Sequence, residues 1–168
     1  DGNLILVDKP QGISVVPDSH GGLTLTDQVS AHCGLEVLPC HRLDHHTGGL
    51  TLFAKTGEAH ACALEAFRRH AVQKGYDCLV CGCPMPEEAE LTAWLRKDAR
   101  AARVEILSQP AQDALPIRTR YRVRTPGRVS LLEVDLLTGR THQIRAHLAF
   151  IGHPVLGDDR YGDRDMNR

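Results

Sequence analysis

Aromatic side chains are scarce in this sequence: three Phe, three Tyr and one Trp among 168 residues. An exposed tyrosine is therefore a feature to follow, because it would serve for stacking on a base. Long apolar runs are missing, and no stretch approaches the roughly 18 uncharged apolar residues that a membrane helix requires. The opening Asp1-Gly2-Asn3 is neither basic nor apolar and does not read as a signal peptide. Charge of one sign is not in excess: 20 Lys and Arg face 21 Asp and Glu, a formal net charge of −1. The simplest nucleic-acid binders are far more basic. Repeats, low-complexity tracts and linkers are absent, which excludes collagen-like and disordered classes. There is no glycine-rich phosphate loop, so a nucleotide-phosphate enzyme is set aside. Six cysteines do not make a disulfide framework in a chain of this length. Reduced thiols and a cytoplasmic location are the simpler expectation.

What is present is ordinary in amount, with 42% hydrophobic and 24% charged residues. The length predicts one domain over residues 1–168 with a real core. Sixteen of the 20 cations are arginine, which favours bidentate contacts to phosphate or carboxylate. Arg118, Arg120, Arg122 and Arg124 stand at spacing two, on one face of a strand. They are either a solvated strand face or a stripe that tracks phosphates.

Leu4–Val7 reads as a strand closed by the turn Asp8–Gly12, with Ile13–Val16 resuming extended structure. Leu25, Val29 and Cys33 mark a short helix stopped by Gly34. Residues 39–49 lack periodicity and form a loop, and 50–55 return as a strand. Ala59, Cys62, Ala63, Ala66 and Phe67 recur at helical spacing. Tyr76–Val80 is a strand, and Pro84–Glu90 an acidic connection. Leu91–Arg96 and Arg103–Ile106 alternate on either side of a turn at Lys97-Asp98-Ala99-Arg100. Ile117, Thr119, Tyr121 and Val123 form the inner face of the arginine strand. Leu132, Val134 and Leu136 alternate in the next. Ile144, Leu148 and Ile151 mark a last helix with Thr141 as N-cap. The order predicts an α+β fold with a mixed, mainly antiparallel central sheet and flanking helices.

Three segments break this patterning. In His41-Arg42-Leu43-Asp44-His45-His46-Thr47-Gly48-Gly49 a carboxylate is flanked by histidines and an arginine. That suits acid, base or nucleophile work, although a turn with Asp44 capping an amide is the plainer reading. Lys74-Gly75-Tyr76 places a tyrosine at a strand start. Thr138–His147 opens a helix with a glycine, polar donors and two arginines, and helix starts offer amides to anions. Arg145 falls at the edge of the buried face and wants a carboxylate partner, for which Asp44 is the candidate.

Taken together these segments resemble the RluA-type pseudouridine synthases. The matching residues are Ile5-Leu6-Val7-x-Lys9-Pro10-x-Gly12, His41-Arg42-Leu43-Asp44-x-x-Thr47-x-Gly49-Leu50, Lys74-x-Tyr76 and Thr138–Leu148, continued by Gly152-His153-Pro154 and Gly157-Asp158. The ending Gly157–Arg164 looks nearest the ribosomal large-subunit, RluC-like branch. The resemblance implies an active-site cleft across the sheet. It implies isomerisation of uridine to pseudouridine in structured RNA, 23S ribosomal RNA first and tRNA second, with no cofactor and no metal. Asp44 then matches the essential aspartate, Tyr76 the tyrosine that stacks on the uracil, and Arg145 the arginine that pairs with the aspartate. Arg42 matches an arginine that holds the flipped nucleotide. His41, Thr47, Lys74, Arg140, Thr141, His142 and Gln143 fall in the same motifs and are expected at the substrate. Gly48 stands where the family usually has serine. The chain lacks the N-terminal RNA-binding domain of many relatives and stops before their last strand segment, so it is expected to be the catalytic domain without its C-terminal end. A monomer is expected. Two rivals remain: an RNA-binding module of the same fold without catalysis, and a metal site built on Cys78-x-x-Cys81-x-Cys83 with Cys33, Cys40, His41, His45 and His46.

Overall fold

The computed structural model describes residues 1–18, 21–98, 103–165 and 167. It divides into two compact units, Asp1–Val72 and Gln73–Arg168.

In the first unit, β1 (Leu4–Lys9), β2 (Leu38–Pro39) and β3 (Gly49–Ala54) form an antiparallel sheet in the order β1-β3-β2. Leu4 lies opposite Ala54 and Lys9 opposite Gly49. Helix α1 (Leu25–Cys33) begins in a capping box: the Thr24 hydroxyl accepts the Asp27 N–H, and Asp27 accepts the Thr24 N–H at 2.8 Å. It ends at Gly34, whose φ of 67° is the left-handed stop the sequence suggested. Residues 13–16 belong to no strand. The carbonyls of Ser14 and Val15 instead accept the N–H groups of Leu25 and Thr26 at 2.9 and 3.2 Å, which satisfies the first amides of α1. Val15, Leu25, Val29, Val37 and Phe53 make the core. Helix α2 is Gly57–Arg68.

The second unit carries β4 (Gly75–Cys81), β5 (Glu88–Asp98), β6 (Arg103–Leu107), β7 (Ala114–Thr125), β8 (Val129–Leu136) and α3 (Gln143–Phe150). Its antiparallel sheet has the order β4-β8-β7-β5-β6. The α+β class and the antiparallel pairing are those expected, but the strands are shared between two sheets. The acidic connection is shorter than expected, because β5 already begins at Glu88. Lys97 and Asp98 of the expected turn belong to β5, with Asp98 opposite Arg103, while Ala99 and Arg100 lie outside the described residues. One face of the sheet packs Val80, Tyr121, Leu132 and Val134 around Leu148 of α3, and Ala93, Leu95 and Ile117 around Ala146.

The arginine strand is β7, and its outer face is solvated and paired. Arg118 and Arg120 bind Glu90, Arg122 binds Glu88 and Arg124 binds Glu133. Each pair is exposed, so its contribution to stability is small. Glu88, Glu90 and Glu133 offset the charge of the stripe, as on a solvated strand face.

The N-cap of α3 is His142, not Thr141. Its φ is 53°, and its side chain does not cap the helix. The turn is closed by Gln143, whose Oε1 accepts the Arg140 N–H at 3.1 Å and the Thr138 hydroxyl at 2.9 Å.

His147 is fully buried in α3, with Nδ1 3.0 Å from the Thr119 hydroxyl. Burial pushes its pKa down to about 4, against about 6.5 in an unfolded chain. The fold therefore favours the neutral ring. Stability from this group is complete above pH ~6.5 and is lost as the pH falls towards ~4, by at most about 3 kcal/mol. His147→Gln is expected to remove this slope, read as urea unfolding between pH 7 and pH 4. An unchanged slope would place the acid sensitivity elsewhere. Among the described residues no helix is long and apolar enough to cross a membrane.

Candidate active site

The loop that carries Asp44 leaves β2 and enters β3 within the first unit. At its base the Cys40 N–H donates to Leu52 O at 2.9 Å, and the Leu52 N–H donates to His41 Nε2 at 3.1 Å. The His41 ring lies 4.9 Å from that of Phe67. His41 thus fastens the loop to β3 and α2. Leu43 is buried and pins the centre, while Arg42 is exposed on the next position.

Asp44 itself is half-buried, and its carbonyl accepts the Thr47 N–H at 3.0 Å, which closes a tight turn. The carbonyl of His45 accepts the Gly12 N–H at 2.9 Å and the Lys9 ammonium at 3.2 Å. Lys9 is 1% exposed, and its Nζ also donates to Pro10 O at 3.0 Å and Ile13 O at 2.8 Å. Burial lowers its pKa, and the negative charge of Asp44 acts in the opposite direction. A buried cation therefore sits within electrostatic reach of the candidate nucleophile. A Cβ at Gly48 would stand 3.3 Å from the Lys9 carbonyl oxygen, so glycine fits this loop without displacing β1.

In the second unit Tyr76 is the second residue of β4, opposite Val134 of β8. It is half-buried and packs against the cluster around Leu148. Lys74, two residues earlier, is half-buried too, and burial lowers its pKa. Among the described residues its ammonium has no hydrogen-bond or carboxylate partner. A Cβ at Gly139 would come within 3.1 Å of Lys74 Nζ, so the glycine lets that cation approach the 138–141 turn. Arg140 and Thr141 are exposed on the same turn.

Gln143 differs from expectation. It is 2% exposed, and its Nε2 donates to Arg118 O and Thr119 Oγ1, both at 3.0 Å. With Oε1 already bound within the turn, its amide is used up as a brace between the turn and β7, and burial keeps it from a substrate. His142 is held by Tyr161, whose hydroxyl lies 3.0 Å from His142 Nδ1 and accepts the Val104 N–H at 2.8 Å.

Arg145 is 17% exposed and has a carboxylate partner in its own unit. Its Nε and Nη2 donate to the two oxygens of Asp158 at 2.6 and 3.0 Å, and Nη2 reaches Asp159 at 3.3 Å. Its guanidinium also lies 5.4 Å from the centre of the Tyr161 ring. Asp158 is 2% exposed and further accepts the N–H groups of Arg160 and Tyr161, each at 2.8 Å. Burial alone would raise its pKa. The bonds from Arg145, Tyr161 and Arg160 outweigh burial and hold it below the usual carboxylate range. Asp158 and Tyr161 were not expected from the sequence as partners of Arg145, although Gly157-Asp158 stood in the quoted resemblance.

The cysteines are six free thiols. Cys78 is pushed up to about 12 by burial and by the charge of Asp77, which opposes the thiolate a metal would need. Among the described residues no three His, Cys, Asp or Glu gather as a metal-binding group.

The family model described as RNA pseudouridylate synthase matches residues 3–150. An RNA pseudouridine synthase of Chloroflexus aurantiacus, itself uncharacterized, is 39% identical over 94% of this chain and 51% of its own. Ribosomal large subunit pseudouridine synthase C of Escherichia coli K12 is 34% identical over 100% of this chain and 53% of its own. The chain thus spans about half the length of these curated relatives. The solved structure of human RNA pseudouridylate synthase domain containing 1 superposes with a TM-score of 0.84 at 28% identity, covering 99% of this chain and 69% of that one. An antiparallel α+β scaffold, a tightly anchored Asp44 loop and a family match over most of the sequence agree, and the chain belongs to the RNA pseudouridylate synthase family.

Proposed function

We propose that this chain is a catalytic domain that converts uridine to pseudouridine in structured RNA, with 23S ribosomal RNA as first target. The observation that carries the reading is the Asp44 loop. Its backbone is anchored by Lys9, Gly12 and Thr47 through the carbonyls of Asp44 and His45, which fixes the residue that carries the carboxylate. The large-subunit relative favours ribosomal RNA over tRNA.

The proposed reaction needs no cofactor. The N1–C1′ bond breaks, a C5–C1′ bond forms, the proton leaves C5 and N1 gains one. Asp44 attacks the nucleoside, Tyr76 stacks on the uracil and Arg145 stabilises the carboxylate charge. Arg42 and Thr47 hold the extruded nucleotide, and Lys74, Arg140, Thr141 and His142 meet the adjacent backbone. His41 supports the loop from behind. Extruding the base costs about a few kcal/mol. A stacked ring returns about 1–3 kcal/mol, and phosphate contacts add to it. The domain is proposed to act as a monomer in the cytoplasm.

Release of tritium from C5-labelled uridine in 23S RNA tests the reaction, because the C5 hydrogen must leave. Release from 23S RNA and little from pooled tRNA is expected. Release from tRNA alone would move the target, and binding without release from either would favour a non-catalytic module. A second result is expected at Lys74. Lys74→Met should weaken RNA binding and flatten the slope of log K against log salt by about 0.7–0.9, one phosphate contact. An unchanged slope would remove Lys74 from the RNA.

A further inference from the structure

The residue after the candidate nucleophile is gripped through its side chain as well as its backbone. Ser14 is buried behind the loop, its main chain held by the first amides of α1. Its hydroxyl oxygen lies 3.0 Å from His45 Nδ1, and the hydroxyl also bonds Asp18 Oδ2. A serine hydroxyl has one proton to give. With an ionised Asp18 as acceptor, that proton goes to the carboxylate, and the serine oxygen can only accept from His45. The proton on His45 is thereby assigned to Nδ1, and in the neutral ring the lone pair falls on Nε2.

The ring is therefore directed by the chain Asp18–Ser14–His45, whose middle residue also accepts the first amide of α1 through its carbonyl. The carbonyl of the same residue is held by Lys9 and Gly12. The peptide that joins Asp44 to His45 is thus fixed from both ends of His45 and, through Thr47, from the Asp44 carbonyl. None of these bonds occupies the Asp44 carboxylate. We propose that Ser14 and Asp18 are positioning residues for the reaction, acting through His45 to set its tautomer and the direction of Asp44. The inference rests on the proposed pseudouridine synthase activity for its kinetic consequence, while the tautomer itself does not depend on that activity. Neither residue was expected from sequence, since Ser14 and His45 stand 31 positions apart.

The test joins kinetics to nitrogen-15 NMR of the histidine rings, with His45 assigned by its loss in His45→Gln. The parent is expected to show His45 protonated at Nδ1. Ser14→Ala should give a tautomer mixture and lower kcat about tenfold with KM unchanged, the effect of losing one positioning hydrogen bond. Ser14→Thr, which keeps the hydroxyl, should restore both. If Ser14→Ala fails to fold, Asp18→Asn is the second variant and should also relax the tautomer, because an amide no longer compels the hydroxyl to donate. A parent ring protonated at Nε2, or a kcat unmoved in a folded Ser14→Ala, would overturn the proposal. A parent without turnover on any RNA would defeat the activity reading alone, and the NMR result would still decide the Asp18–Ser14–His45 chain.

Discussion

Asp44→Asn is expected to lower pseudouridine formation by ~10³-fold or more, as loss of a nucleophile does, with a melting temperature within a few degrees of the parent. Asparagine is nearly isosteric with aspartate. The anchors of the loop run through the carbonyls of Asp44 and His45, which the substitution leaves in place. What changes is the charge. The amide cannot attack a nucleoside, and the Coulombic support that Asp44 gives to the buried Lys9 ammonium is lost. Lys9 should therefore deprotonate at a lower pH in the variant than in the parent. Because its folded pKa lies below the unfolded one, stability rises as the pH climbs through that window, and the rise should set in earlier in the variant. Circular dichroism melting and tritium release, run on the same preparation, separate the two effects. Turnover near that of the parent would require a different nucleophile.

Arg145→Leu is expected to cost both stability and rate. The substitution removes the two donors that face the carboxylate of Asp158 and leaves it buried with two backbone N–H groups. Breaking a buried pair by removing one partner costs about 3–5 kcal/mol. The pH dependence gives the mechanism away. In the parent the lowered pKa of Asp158 contributes stability that is present above the unfolded value near 3.9 and is lost as the pH falls through the folded value. In the variant burial dominates and favours the protonated acid. The difference between parent and variant should then be greatest near pH 7 and shrink as the pH falls, closing only below the parent's lowered folded value, where the acid is neutral in both proteins. Arg145→Lys, which keeps a charge but not the fork, should fall between the two. A difference independent of pH would mean that lost packing over Tyr161, not Asp158, sets the cost.

Much of the fold is legible in the sequence because it rests on local rules. The alternation along β7 separates buried Ile117, Thr119 and Tyr121 from exposed arginines without ambiguity. The Leu25, Val29, Cys33 spacing and Gly34 locate α1 to the residue. Long-range pairing is where the sequence runs out. The function of the arginine stripe turned on register, since Glu88 stands opposite Arg122 and Glu90 opposite Arg120 only once β5 is laid against β7. A threonine preference placed the α3 cap one residue early, whereas the fold holds His142 in the left-handed region through Tyr161, 19 positions away.

The candidate site divides in the same way. Asp44, Tyr76 and Arg145 are legible because their motifs are contiguous. The residues that hold them are not, because Lys9, Ser14 and Asp158 act across 36, 31 and 13 positions. A buried lysine and a buried aspartate look like surface residues until their partners are seen. Gln143 shows the converse: a polar residue inside a reactive-looking motif that the fold uses as a brace.

The most direct measurement maps pseudouridine in unmodified 23S ribosomal RNA after incubation with the protein, by carbodiimide-induced stops in reverse transcription, with Asp44→Asn as control. The account predicts stops at one or a few defined uridines with the parent and none with the variant. Stops that persist with Asp44→Asn, or a folded, RNA-binding parent that yields none on 23S RNA or on pooled tRNA, would contradict it.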